Sequence, residues 1–402
     1  MEQDKNIKYG LWELVKYFFY LGYAGFGGPV ALVGYMHRDL VEKRKWISEE
    51  EYKEGMALAQ LSPGPMAAQL GIYLGFVHYG VLGATLAGIA FVLPSFFMVL
   101  ILGIAYKEYG GLSWMQAIFY GVGAAVIGII AISAYKLATK SIGKISSASF
   151  KQNWLLWMLY LTGLLMTVIT QREEVLVFIG AGLLYMFIKA PPTWSKNHKI
   201  SILFLFIPTI IWSTDQKTLW NIAWFFTKAG AFVFGSGLAI VPFLYGGVVQ
   251  EFGWLNEKEF LDAVAVAMIT PGPVVITVGF IGYLVGGVAG ACVAALATFL
   301  PCYLLTVIPA PYFKKIAKNL SIKAFVDGIT ASVIGALTGA VAIIGYRTFV
   351  NAEGKIDFIP IAFAVATAVI LTKFKKIQEP AIILVAAVLG FILKTFLMNG
   401  GN

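Results

Sequence analysis

The chain has 402 residues, 59% of them hydrophobic and only 13% charged, with a mean hydropathy of +0.80. A water-soluble fold of this length needs far more charge to cover its surface, so one is excluded. The net charge of +9 and pI near 9.2 sit mostly in lysine-rich loops between apolar stretches, which points to topology rather than nucleic-acid binding.

The opening MEQDKNIKYG is polar and of mixed charge, and no small-residue cleavage site ends the apolar run after it. It reads as a cytoplasmic lead into the first helix, with no signal peptide. Apolar stretches of about 20 residues then recur to the end of the chain, each long enough to cross a bilayer as a helix. They are continuous and do not alternate, so a β-barrel is excluded as well.

Hydropathy places spans at 11–36, 53–78, 82–106, 114–136, 153–170, 174–190 and 201–213, then at 219–245, 260–285, 288–310, 325–347, 357–373 and 380–398. That makes about 13 spans in an all-α polytopic membrane protein.

Sliding the chain by 208 residues pairs Phe26-Gly27 with Phe234-Gly235, Trp46 with Trp254, and Pro63-Gly64-Pro65 with Pro271-Gly272-Pro273. Residues 11–91 against 219–299 give 21 identities in 81 positions without a gap, where chance gives roughly 5 or 6. One residue is then lost, and GVGAAVIG (121–128) matches GITASVIG (328–335). The chain therefore divides into homologous halves, 1–214 and 215–402.

Four lysine clusters orient them: Lys136, Lys140, Lys144 and Lys151; Lys189, Lys196 and Lys199; Lys314, Lys315, Lys318 and Lys323; Lys373, Lys375 and Lys376. With the N-terminus cytoplasmic, all four lie inside only if 201–213 crosses. Seven spans then precede the repeat, so the second half enters upside down and the C-terminus lies outside. The loop 38–53, with five basic residues, falls on the outer side in this arrangement and weighs against it. Inverted-topology repeats are a signature of secondary transporters, with the site near the midplane.

Each half carries two breaks: GFGGP (25–29) and SPGP (62–65), then FGSG (234–237) and TPGP (270–273). Proline lacks the N–H that bonds the preceding turn, and glycine loosens the backbone. Such discontinuous helices are tolerated in a membrane where the freed groups are buried in protein or line a polar cavity. A lone break is usually a packing kink; four in register are not. Ser62 and Thr270, each ahead of Pro-Gly-Pro, read as caps that start half-helices, whose free N–H groups and positive dipole ends suit an anion.

The candidate anion-binding set is therefore Gly27, Gly28, Ser62, Pro63, Gly64 and Pro65, with Gly235, Ser236, Gly237, Thr270, Pro271, Gly272 and Pro273. Three polar side chains join it. Lys228 lies inside an apolar span, as a substrate charge or as a lysine snorkelling to the interface. Gln60 and Gln69 flank the first Pro-Gly-Pro as oxyanion donors or as interhelical hydrogen-bonding groups. Glu54 and Asp262 match across the repeat, as carriers of a coupling proton or as dipole partners near a helix N-terminus.

No nucleophile–base pair suggests an enzyme. Cys292, Cys302 and three scattered histidines form no metal pattern, so neither a metal nor a cofactor is expected. An anion channel is the rival from another class.

FGGP followed by WISEEEYKEGMALAQLSPGPMAAQ, then FVFGSG and the W-L-x-E-x-E-F-L-D-A run before TPGP, resemble the chromate ion transporter family over nearly the whole chain. The resemblance implies a two-half secondary transporter in the cytoplasmic membrane that exports chromate, handles sulfate as an alternative tetrahedral dianion, and is compatible with a homodimer. It also implies two departures. Tyr20 stands where the family often has a basic residue, and Met268 where a glutamine is usual.

Overall fold

A computed structural model describes residues 9–171, 174–192, 214–232, 237–313, 319–350, 354–374 and 377–399. Among these residues the architecture is helical, with long apolar helices whose outward faces carry exposed Leu, Ile, Phe and Val, as a lipid-facing surface requires. Leu176, Ile169 and Phe358 are each about three-quarters exposed. The protein is an all-α polytopic membrane protein.

The first two apolar stretches do not run straight through. Helix α1 (Leu11–Ala24) ends at Gly25, and α2 (Gly28–Met36) continues as a π-helical turn, His37–Lys43. The ends of this pair return together: Tyr9 stacks on Trp46 with ring centroids 4.6 Å apart, and Arg44 lies over both Tyr17 and Trp46. Gly27 and Gly28, at φ 102° and 71°, make the reversal, a conformation in which a Cβ is strained.

Helix α3 (Glu49–Leu61) and the first arm of α4 (Met66–Tyr109) repeat the pattern. The Tyr73 hydroxyl donates to Glu54 Oε2 at 3.2 Å, and His78 Nε2 lies 3.3 Å from Glu51 Oε1. Tyr9 Oη, 2.8 Å from His78 Nδ1, ties the bases of the two hairpins together. The stretches expected as spans 11–36 and 53–78 are thus helical hairpins folded at their breaks.

A second reversal comes at Gly80, φ 58°, inside α4. Gly75 and Gly83 then lie backbone against backbone, so a Cβ on either would meet the other's carbonyl. The return arm, 81–109, passes the hairpin tips and leads into α5 (Ser113–Ser141). Short α6 (Ser147–Gln152) precedes the antiparallel pair α7 (Trp154–Thr170) and α8 (Val175–Lys189). The expected span 201–213 lies outside the described residues.

The second half repeats this plan. Helix α9 (Thr214–Phe232) is followed by α10 (Val241–Leu244), set between a 3-10 turn, Gly237–Ile240, and a π-helical turn, Tyr245–Glu251. Phe225 of α9 touches Phe252 and Trp254, so this pair also folds back. Helix α11 (Glu257–Ile269) and α12 (Thr277–Val307) do likewise, because Tyr106 contacts both Asp262 and Phe280. Then come α13 (Leu320–Phe349), α14 (Phe358–Lys373) and α15 (Glu379–Asn399).

The reversal at Gly287 in α12, with Gly282 against Gly290, is the counterpart of Gly80 with Gly75 and Gly83. Those pairs are offset by 207, not 208. The residue lost between the repeats therefore goes missing just after the Pro-Gly-Pro break and not after residue 91. The helix start is where it is absorbed, since a 3-10 turn, Val274–Ile276, opens the second-half arm.

The second-half hairpins share one apolar core with α5, α13, α14 and α15, through residues such as Phe260, Val126, Leu337, Leu371 and Ile383. The first-half hairpins pack around a separate core, centred on Leu14, Phe18, Leu70 and Phe91. Between that unit and the ends of α5, α13 and α15 the packing opens.

Candidate functional site

The two Pro-Gly-Pro breaks arise from backbone sterics. A residue before proline is pushed out of the helical region, so α3 stops at Ser62 (ψ 141°) and α11 at Thr270 (ψ 134°). Pro65 and Pro273 then take the N-cap places of the next helical segments, α4 and the 3-10 turn Val274–Ile276.

Ser62 and Thr270 therefore close the preceding helices and do not cap the ones after the breaks, contrary to the capping expectation. Their hydroxyls are engaged elsewhere: Ser62 Oγ donates to Leu305 O at 3.2 Å, and Thr270 Oγ1 to Val266 O at 2.7 Å. The physical reason is that an N-cap must adjoin its helix, and here a three-residue Pro-Gly-Pro loop intervenes.

The breaks of the two halves meet. Gly272 N–H donates to Gly25 O at 2.9 Å, and Gly272 lies against the Ser95 side chain. Ser95 Oγ in turn donates to Gly22 O at 3.1 Å. The Gly272 amide is thus already bonded to the other half's tip.

From this junction a cavity of about 760 Å³ runs outward between the first-half hairpins and the ends of α5, α13 and α15. That is within the range of small-molecule sites. Its inner wall holds Gly27, Gly28, Gln60, Thr270 and Gly272, so the α2 N-terminus, which no side chain caps and where Pro29 carries no N–H, faces the space. Met66, the first residue of α4, also lines it. Gln60 is exposed to the cavity.

Other expected residues lie elsewhere. Pro63, Gly64, Pro65, Pro271, Pro273 and Gly237 shape the turns without lining the cavity. Gln69 is fully buried and its Nε2 donates to Pro63 O at 2.7 Å, fastening the break from behind. Lys228 is half-buried, its Nζ 5.7 Å from the ring of the exposed Trp224 on α9, and it does not line the cavity. Gly235 and Ser236 lie outside the described residues.

Glu54 accepts from Tyr73 within its own hairpin pair. Asp262 is 1% exposed, accepts from the Tyr106 hydroxyl at 2.7 Å, and its Oδ1 has no partner among the described residues. Tyr106 lies on the return arm of α4 and Asp262 on α11, so this bond joins the two halves.

The outer wall carries charge that hydropathy and loop position assigned to topology alone. Lys136 and Lys140 of α5 and Lys323 of α13 line the cavity, with Asp327 and Glu379. Among the described residues none of these lysines has a carboxylate within ion-pair distance. Lys136 and Lys140 are not loop residues, because α5 runs on to Ser141. The signal that could have found them is their spacing: i, i+4 on one helix face, matched by Lys323 and Asp327 on α13.

Among the described residues, no cluster of His, Cys, Asp and Glu has the form of a metal site. What the arrangement offers an anion is a positive vestibule leading to a helix N-terminus and a neutral amide, Gln60.

Comparison with known proteins adds to this geometry. Residues 12–186 and 220–391 match the family described as Chromate transporter. The chain is 60% identical over 390 residues to the chromate transport protein of Cupriavidus metallidurans, covering 96% of this chain and 93% of that one. It is 56% identical over 396 residues to a probable chromate transport protein of Synechococcus elongatus, covering 96% of each. A chromate transport protein of Pseudomonas aeruginosa is 27% identical over 407 residues, covering 95% of this chain and 92% of that one. No solved structure matches.

Proposed function

The chain belongs to the chromate transporter family, and on that premise we propose that it is a secondary transporter carrying chromate out across the cytoplasmic membrane by alternating access. The observation that carries this reading is the contact between the breaks of the two halves, Gly272 N–H to Gly25 O, at the inner end of a lysine-lined cavity. Alternating access needs a site between two units that can move against each other, and a repeat interface with broken helices is where such sites lie.

Chromate is a tetrahedral dianion. Lys136, Lys140 and Lys323 draw it in, the α2 N-terminus at Gly27 and Gly28 receives it, and Gln60 donates to an oxygen. Sulfate has the same shape and charge, and nothing in the cavity wall excludes it, so it competes.

In this reading each hairpin dips into the membrane and returns to the face it left. The crossings are then the return arms of α4 and α12, with α5, α7, α8, α13, α14, α15 and the stretch 201–213. Five crossings separate the halves, an odd number, which gives opposite orientations, a cytoplasmic N-terminus and an outer C-terminus. The cavity mouth at Lys140, Lys323 and Glu379 faces the cytoplasm, as export requires. Asp262, buried at the contact between halves, carries the coupling proton.

Uptake into inside-out vesicles tests the proposal, with chromate, sulfate and molybdate compared in the presence and absence of a proton gradient. Saturable chromate uptake, inhibited by sulfate and driven by the gradient, is expected. Equal indifference to all three anions rejects the reading. A conductive flux with no coupled-ion dependence makes the protein a channel instead.

A further inference from the structure

Resting on the alternating-access reading, we infer that Glu49 and Lys140 form the ion pair that closes the cavity mouth in the alternate state, as Glu257 and Arg347 close the opposite end here. Arg347, in the last turn of α13, donates through Nη1 to Glu257 Oε1 and through Nη2 to Gln171 Oε1 at 2.7 Å. The Tyr245 hydroxyl donates to the same Glu257 oxygen at 3.1 Å, and Gln250 Nε2 donates to Tyr245. This network ties the base of the second-half hairpins to α13 and to the turn after α7. It is the polar counterpart of the shared apolar core on that side.

The repeat supplies the same parts in the first half. The 208-residue offset maps Tyr245 onto His37 and Glu257 onto Glu49. His37 Nε2 and Glu49 Oε2 are already bonded at 2.9 Å, as Tyr245 and Glu257 are. The 207-residue offset that pairs GVGAAVIG with GITASVIG runs without a gap to the ends of α5 and α13, and maps Arg347 onto Lys140.

Only the final contact differs. Lys140 faces the cavity, and Glu49 instead holds Lys53 at 3.2 Å on its own helix. Two copies of one motif are thus seen in two arrangements, one latched and one open. Exchanging them closes the cavity by bringing the base of the first-half hairpins onto α5.

The Glu49–Lys53 pair is largely exposed, so replacing it with Glu49–Lys140 costs little. The two latches are unequal. Arginine engages two acceptors through a planar fork, whereas lysine offers a single strongly hydrated charge, which favours the state with the cytoplasmic mouth open.

The test reads cavity access without any substrate, so it can fail while the transport assay above succeeds, and the reverse. Cys292→Ser and Cys302→Ala remove the native thiols, and Ser133→Cys places a reporter on the cavity wall. A membrane-impermeant maleimide is applied to inside-out vesicles. Weakening the closed-side latch by Glu257→Gln is expected to slow labelling about two- to five-fold, the size of shift that a partly exposed ion pair can bias. Arg347→Lys gives a smaller slowing and guards against a folding defect, and full labelling after denaturation checks the reporter. Adding Lys140→Gln to Glu257→Gln restores the parent rate, whereas adding Lys53→Gln does not. Labelling at the parent rate in Glu257→Gln overturns the inference. So does a Glu257→Gln, Lys140→Gln double variant that stays as slow as Glu257→Gln alone.

Discussion

Gln60 and Gln69 stand nine residues apart around the same Pro-Gly-Pro, yet one faces the cavity and the other is sealed behind the break. Replacing Gln60 with Leu is expected to raise the apparent KM for chromate several-fold in vesicle uptake, with the melting temperature unchanged. Gln69→Ala strands the Pro63 carbonyl in a dry environment, a cost of about 1–3 kcal/mol. It is expected to lower the melting temperature in detergent while leaving KM near that of the parent. Gly272 makes a third case, since its φ of 97° and the adjacent Ser95 leave no place for a Cβ. Gly272→Ala is expected to destabilise by about 1–3 kcal/mol, against no loss for Gly111→Ala, where nothing lies within 4 Å. The sequence made Gln60 and Gln69 look equivalent because both flank the motif. Only the direction of the helix ends on either side separates them.

At the scale of elements the hairpins dominate. The breaks at 25–29, 62–65 and 270–273 were legible as breaks, because proline and glycine at matched positions have a direct backbone meaning. That the chain reverses there was not legible: a kinked spanning helix and a folded-back pair have the same hydropathy. The distinction comes from contacts such as Tyr9 with Trp46 and Glu54 with Tyr73, which link residues far apart in the chain. The tight turn at Gly80 offers a graded test. Gly80→Ala meets no neighbour and is expected to cost only the penalty of a backbone region that glycine alone occupies readily (φ 58°, ψ −148°), about 1–3 kcal/mol. Gly75→Ala drives a methyl into the Gly83 carbonyl and separates the two arms. Its fall in melting temperature and in folded yield is expected to be clearly the larger of the two.

For the whole molecule, the bond between Tyr106 and Asp262 joins the return arm of one half to a hairpin of the other. With Asp262 as the proton carrier, Asp262→Asn is expected to abolish gradient-driven chromate accumulation while chromate–chromate exchange continues. Loss of both activities together would make the residue structural. Neutralising Lys136, Lys140 and Lys323 together is expected to reduce the uptake rate most at low ionic strength, because long-range attraction is screened within about 10 Å at 0.1 M salt. Composition by itself determined that this is a helical membrane protein, and the repeat in the sequence pointed to two halves with paired breaks. Those properties are written in local chemistry: apolar run length, and proline and glycine in register. Only the tertiary structure decided that the described breaks are hairpin tips, that Gly25 and Gly272 touch, and that lysines expected in loops line the cavity. Lys228, the charge most conspicuous in the sequence, packs beside Trp224 instead. Long-range packing sets which face of a helix meets the other half, and no local pattern of residues encodes that choice.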